Sequence, residues 1–266
     1  MGWTDASLSR RGVGQLIGGA ATLLACACGR AAAQDTGVHR DQPVTGADKS
    51  TKSTMLGMGA DLLQSKGPIN DINMYLNGFH FYADDMGRQI EAHHYCTHVT
   101  EDFYQCVIYD DNKEGARLIG IEYIVSERVF KTLPDDEKQL WHSHRHETTS
   151  GELVMPRIPG PVEHTAIATL VNTYGKTWHT WQIDLDNKLP TGIPQLMMGF
   201  TADNQLRSEM REDRDRRLGI ETEEKKKARE DLLRSAPQVV TGADSWTDGQ
   251  APQLVLSQLP LKNRRS

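Results

Sequence analysis

Two strand-forming segments joined by a short connection place the strongest constraint on the fold of this chain. Residues 89–99 and 103–109 are rich in β-branched and aromatic side chains, and only "TED" separates them. Such a pair predicts an antiparallel hairpin. Phe79 and Phe81 alternate with polar residues before it, and "RLIGIEYIV" predicts a strand after it. We therefore expect an antiparallel β-sheet.

Helical segments are interspersed with these strands. Residues 55–64, a segment that begins near Asp135, and residues 161–174 all predict helices, and residues 177–185 predict a last strand. The strands and helices do not alternate regularly. The pattern therefore predicts an α+β fold, in which one antiparallel sheet is packed by helices mainly on one face.

Charge and hydropathy indicate neither a nucleic-acid partner nor a membrane-spanning helix. The 266 residues include 36 acidic and 30 basic side chains, so the formal net charge is −6 and gives no overall attraction to nucleic acid. No run reaches the roughly 18 apolar residues that a membrane-spanning helix requires. We expect no nucleic-acid partner and no transmembrane span in the mature chain.

Composition divides the chain into five segments. Residues 205–235 contain ten basic and nine acidic residues, so the charges nearly cancel, and the segment predicts a solvated helix broken at Gly219. The predicted organisation is an export signal (1–33), a flexible linker (34–54), a folded domain (55–204), a charged helical extension (205–235) and a disordered tail (236–266).

The N-terminus has the layout of an export signal. Arg10 and Arg11 precede a mildly apolar segment, as in twin-arginine signals. Cleavage after Ala33 would release a soluble protein, whereas "LLAC" resembles a lipoprotein box in which Cys26 carries the lipid. The alternative is a disordered start rich in Ala and Gly. We expect an exported protein, either periplasmic or anchored by lipid to the cell envelope.

The hairpin carries chemistry-bearing residues in "IEAHHYCTHVTEDFYQC". A three-residue loop places Cys96 opposite Cys106, whereas a two-residue loop places their sulfurs on opposite faces of the hairpin. Three interpretations stay open. The cysteines form a disulfide, or they bind a metal together with His94 or His98, or they are independent thiols. The C-x9-C spacing is not that of a zinc knuckle.

A second histidine cluster lies in "WHSHRHE". If this segment is extended, its imidazoles share a face and can bind zinc or another transition metal, although a polar loop with hydrogen-bonded histidines is the alternative. No nucleophile elbow, phosphate-binding loop or H-E-x-x-H motif occurs, so no catalytic residue is predicted. The candidate metal ligands are His93, His94, His142 and His144.

Several sequence blocks resemble the oil-body-associated protein family, known from plant seeds. The blocks include "FHFYADDMGRQIEAHHY", "ARLIGIEYIVSE", "SGELVMPRIP" and "TYGKTWHTWQ", in the same order. The resemblance implies a non-catalytic protein associated with lipid bodies, with no established reaction or cofactor. His93, His94, His142 and His144 fall on its motif positions, whereas His146 and His179 do not.

These observations predict a non-catalytic, exported protein whose partner is a lipid surface or an envelope protein. The alternative is a metal-binding protein, or a metal-dependent enzyme, with a histidine site built from His94, His142 and His144.

Overall fold

Seven antiparallel strands form the framework of the protein. The structure is a computed structural model that describes residues 44–185 and 188–262. The strands are β1 (Met74–Tyr82), β2 (Asp85–Thr100), β3 (Phe103–Tyr109), β4 (Leu118–Ser126), β5 (His142–Ser143), β6 (Thr173–His179) and β7 (Gln195–Met198). The α+β class is confirmed.

The sheet closes into a six-stranded barrel, which is more specific than the antiparallel sheet that we expected. Strand order runs β4-β3-β2-β1-β7-β6, and β4 pairs with β6 along its length, from Gly120 opposite His179 to Ser126 opposite Thr173. Among the strands of the described residues, closure leaves no long unpaired edge. It also gives the strands an enclosed interior, which side chains from alternate positions must fill.

β5 extends the wall of the barrel. Because β4 covers one edge of β6, β7 and β5 share the other edge: β7 pairs with residues 177–179, and β5 places His142 opposite Gly175. A two-residue strand thereby brings the histidine-rich segment against the barrel.

The β2–β3 hairpin contains a disulfide, although the length of its loop alone predicts that the two sulfurs lie on opposite faces. Its turn has two residues, since Thr100 pairs with Phe103, and the register shifts between His98 and Thr100. The extra residue, Val99, forms a bulge that restores Cys96 opposite Cys106. These two cysteines are bonded, so the disulfide interpretation is confirmed.

The barrel interior is apolar at both ends and polar between them. Leu76, Cys96 and Tyr104 belong to the cluster at one end, while Tyr82 and Ile108 belong to the cluster at the other. The β1 and β2 positions between these clusters carry histidines. Alternation along the strands therefore dictates a buried polar layer across the middle of the barrel.

Nine helices lie among the described residues. They are α1 (Thr51–Leu63), α2 (Gly67–Asn70), α3 (Glu127–Phe130), α4 (Asp135–Lys138), α5 (Arg145–Ser150), α6 (Gly160–Leu170), α7 (Ser208–Leu218), α8 (Thr222–Ala228) and α9 (Glu230–Ser235). α6 ends before the predicted limit, because Thr173 and Tyr174 belong to β6. No helix in the described part is long and apolar enough to cross a membrane.

Two buried arginines attach the charged segment to the barrel domain. Arg214 of α7 donates to the side-chain oxygen of Asn77 at 2.9 Å and to the carbonyl of Glu152 at 3.0 Å. Arg229 donates to the carbonyls of Thr148 and Leu153, each at 2.8 Å. Helix α7 ends at Gly219, which adopts the left-handed conformation. The segment thus forms part of the packed structure.

Part of the predicted tail also packs against the domain. Asp244 is buried and accepts hydrogen bonds from the backbone and the hydroxyl of Ser143 at 2.8 and 2.7 Å. The Trp246 ring lies edge-on to Phe81, with centroids 5.0 Å apart. The limits proposed for the domain, the extension and the tail stay predictions.

We expect Glu91 to make the attachment of α7 sensitive to acid. Burial raises the pKa of this carboxyl, but His93 and Arg217 outweigh burial and lower it from 4.5 to about 2. A depressed carboxyl pKa contributes stability above about pH 4.5 that is lost as the pH falls towards 2, an effect of roughly 3 kcal/mol. Urea unfolding of Glu91→Gln should show lower stability at pH 7 and a weaker pH dependence in this window.

The exposed Glu101 on the β2–β3 turn provides the matched control, and Glu101→Gln should behave as the wild type. Equal pH dependence of Glu91→Gln and the wild type would contradict this role for Glu91.

Candidate functional site: a buried histidine–glutamate centre

The polar layer of the barrel is a cluster of imidazoles around a carboxylate. Interior-facing positions of β1, β2, β4 and β6 supply one member of this cluster each, and the β5 segment supplies two more. All six residues are at least 97% buried: His80, His94, Glu122, His142, His144 and His179.

Glu122 lies at the middle of this cluster. Its Oε2 is 2.9 Å from Nε2 of His94, and its Oε1 is 3.1 Å from Nε2 of His144 and 3.4 Å from Nε2 of His142. Two overlapping groups of donor atoms, each with all atoms within 4.8 Å of one another, share His142. They are His80–Glu122–His142 and His142–His144–Glu147.

Several of these polar atoms have no hydrogen-bond partner among the described residues. Both ring nitrogens of His94 and of His142 are in this state, as is Oε1 of Glu147. The His94–Glu122 distance is short, but the ring geometry does not form a hydrogen bond. A buried polar atom without a partner costs about 1–3 kcal/mol, and native proteins contain few of them.

One imidazole of the cluster is oriented by a hydroxyl. Thr173 donates its only hydroxyl proton to the carbonyl of Leu170 at 2.7 Å. Its oxygen therefore accepts from Nδ1–H of His144, 2.8 Å away. This bond sets the ring orientation and directs Nε2 of His144 towards Glu122.

The imidazoles keep Glu122 ionised. Burial raises the pKa of this carboxyl, but His142, His144 and His94 outweigh that effect and hold the pKa well below its usual range. Burial in turn lowers the pKa of His144, although Glu122 partly opposes the shift. The arrangement favours a negative carboxylate beside a neutral His144 ring.

Two further histidines and a second carboxyl surround this pair. Burial holds the pKa of His80 well below its usual range and lowers the pKa of His179 to about 3. Burial and the charge of Glu122 raise the pKa of Glu147 well above its usual range. Neutral imidazoles in such a setting offer nitrogen lone pairs to a cation.

The site contains a small internal cavity and two places where only glycine fits. The cavity volume is about 10 Å³, close to the space for one water-sized occupant.

A Cβ at Gly175 would lie 2.8 Å from Nε2 of His142 and closer still to Glu122. One at Gly199 would lie 3.0 Å from the His142 ring and closer still to Glu147. Both glycines let the backbone approach the cluster.

Of the four candidate metal ligands, His94, His142 and His144 converge and His93 does not. His93 faces away from the cluster, where its Nδ1 lies 2.8 Å from the Tyr75 hydroxyl and its Nε2 lies 3.3 Å from Glu91. The opposite facing of His93 and His94 follows from the period of a β-strand.

Sequence reasoning missed several members of the cluster. Glu122 is a polar residue inside the hydrophobic run of β4, and that mismatch was the available signal. His80 alternates with Phe79 and Phe81, so the strand pattern assigned it to the polar face. His179 was also missed, whereas Glu147 belongs to the histidine-rich segment "WHSHRHE" that the sequence singled out. His146 lies outside both donor groups, with Nε2 3.6 Å from Glu152.

The predicted signal at residues 1–33, including the lipidation candidate Cys26, lies outside the described residues.

Comparisons with known proteins identify relatives across most of the chain. Residues 66–233 match a family described as protein of unknown function (DUF1264). The chain is 43% identical to oil body-associated protein 1B of Arabidopsis thaliana over 219 residues, 82% of this chain and 90% of that protein. It is 46% identical to oil body-associated protein 1A of Zea mays over 186 residues, 70% of this chain and 78% of that protein. No solved structure matches the chain.

These relatives correct the predicted location. Their names associate them with plant oil bodies rather than with a periplasm or a cell envelope. The prediction that the chain is exported, periplasmic or anchored by lipid to the envelope is therefore wrong.

We expect the contact between β6 and the cluster to be intolerant of a methyl group. Gly175→Ala should destabilise the protein by about 1–3 kcal/mol or more, because the new Cβ overlaps Glu122 and His142. The control is Gly160→Ala, whose Cβ would have no neighbour within 4 Å. Urea unfolding measures both variants, and equal stabilities would show that the site is not packed as described.

Proposed function

Because the chain belongs to the family of oil body-associated proteins, we propose that it attaches to the surface of a lipid body and catalyses no reaction there. A lipid body presents a polar headgroup layer over an apolar interior. A protein that attaches to such a surface needs exposed apolar side chains that can enter the layer.

Helix α1 presents such side chains, and this observation carries the proposal. None of its residues is buried. Leu62 and Leu63 are 85% and 83% exposed, and Met55, Leu56 and Met58 are between 65% and 68% exposed. A helix of a globular protein normally buries its apolar face against a core. Within the described part of the chain, α1 leaves that face uncovered.

The apolar side chains lie on one half of α1. At 100° per residue, positions 55, 56, 58, 62 and 63 fall within an arc of about 160°. The other half carries polar and small residues, including Asp61, which pairs with Lys66 after the helix. The uncovered apolar side chains therefore lie together on one side of α1.

A second exposed apolar segment follows the folded domain. Val255, Leu256 and Leu259 are 84–85% exposed. Burying a leucine side chain contributes about 1.5–3 kcal/mol, so a few such residues account for reversible attachment to a lipid surface.

We expect Leu62→Glu together with Leu63→Glu to release the protein from lipid surfaces. The purified chain is mixed with triacylglycerol droplets coated with phosphatidylcholine, and the fraction that floats with the droplets is measured. The wild type should float. The double variant should bind at least about tenfold more weakly, because two leucines no longer leave water.

The control replaces exposed apolar residues of other helices, Val162→Glu with Leu233→Glu, and should float as the wild type. Flotation of the α1 variant at the wild-type level, or a wild type that does not float, contradicts the proposal. Light scattering without lipid tests self-association. A wild-type dimer that the α1 variant converts to a monomer, with flotation unchanged, would assign α1 to a second copy instead.

A further inference from the structure

The interior of the barrel brings imidazole and carboxylate donor atoms within 4.8 Å of one another. We propose that it binds one divalent first-row transition-metal ion, with Glu122 and His142 as central ligands and the imidazoles of His80, His94 and His144 around them. This site is independent of the lipid surface proposed for α1.

The distances fit the edges of a coordination polyhedron. Metal bonds of about 2.0–2.1 Å separate neighbouring ligand atoms by roughly 3.0 Å in octahedral and 3.4 Å in tetrahedral geometry. The Glu122 oxygens lie 2.9, 3.1 and 3.4 Å from Nε2 of three different histidines. The donor atoms of His80, Glu122 and His142 also lie within 4.8 Å of one another.

The hydrogen bonds of the cluster leave two acceptor atoms facing each other, an arrangement that a cation would stabilise. Because Nδ1–H of His144 donates to Thr173, the neutral ring presents a nitrogen lone pair to the negative oxygen of Glu122. Two acceptors facing each other at 3.1 Å repel unless a positive charge lies between or beside them.

The remaining ring nitrogens point to the same conclusion. His94 and His142 are 97% and fully buried, yet neither ring has a hydrogen-bond partner among the described residues. Buried imidazoles that only maintain a fold are normally hydrogen-bonded. Metal coordination would satisfy one nitrogen of each ring, and Oε1 of Glu147 offers another donor atom beside His142.

The donor set also narrows the class of metal. Cys96 and Cys106 are joined in a disulfide, so they supply no thiolate. Imidazole nitrogen with carboxylate oxygen suits zinc, iron, manganese, cobalt or copper rather than calcium or magnesium. The hydrogen bond that Nδ1–H of His144 donates to Thr173 would hold this ligating histidine in position.

The test is metal binding by the full chain purified without a histidine tag. After dialysis against a chelator, the protein is titrated separately with Zn²⁺, Mn²⁺, Fe²⁺ and Co²⁺. Bound metal is measured by mass spectrometry, and the thermal midpoint is measured with and without metal. We expect one ion per chain with submicromolar affinity and a higher midpoint. Failure of all four metals to bind stoichiometrically overturns the proposal.

Matched variants locate the ion. Glu122→Gln and His142→Ala should weaken binding by more than about 100-fold, and Thr173→Val by about 10-fold to 100-fold, since outer-shell contacts have effects of that size. His93→Gln, also buried but outside the cluster, and the surface variant His164→Gln should bind as the wild type. Equal affinity of His142→Ala and His93→Gln, or loss of binding only in His164→Gln, overturns the assignment.

A spectroscopic measurement on the wild type covers the case in which ligand variants fail to fold. Cu²⁺ is added to one equivalent, and electron paramagnetic resonance counts the coordinated imidazole nitrogens. At least two equivalent nitrogens support the centre. A spectrum of one nitrogen or none assigns the ion to an adventitious surface position.

Discussion

The buried carboxylate of Glu122 is the group on which the interior of the barrel depends. Removing an ionised carboxylate from water costs several kcal/mol, and only opposite charge or well-placed donors can offset that cost. Three imidazoles approach it to between 2.9 and 3.4 Å. The strands that carry them, together with the short β5, must therefore keep their register, because a slip of one residue would move each side chain to the outer face.

The charged segment, residues 205–235, buries two cations against the outside of the barrel. Arg214 and Arg229 are at least 98% buried, and both donate to backbone carbonyls next to the barrel. Arg229 also pairs with the buried Glu163. A segment with nearly balanced charge can thus pack closely, because its buried arginines are hydrogen-bonded to the domain. Arg214 of α7 contacts the outer face of β1 through Asn77, and His80 on the inner face of β1 belongs to the histidine cluster.

The two proposed activities belong to physically different parts of the molecule. α1 offers apolar surface to a lipid layer, a non-directional interaction that scales with the area removed from water. The barrel centre offers directed lone pairs at fixed spacing, which is a requirement of metal coordination. Neither proposal uses a residue of the other, so loss of one property leaves the other intact.

The sequence by itself determined the α+β class, the principal strands, the break at Gly219 and the histidine-rich segments, since local periodicity and turn chemistry carry these features. Of the cluster it identified His94, His142 and His144. Only the tertiary structure decided that β4 pairs with β6, that a bulge at Val99 aligns the cysteines, and that His80 and Glu122 join the cluster. The physical reason is that pairing between distant strands sets which faces meet inside the barrel, and no local pattern encodes that register.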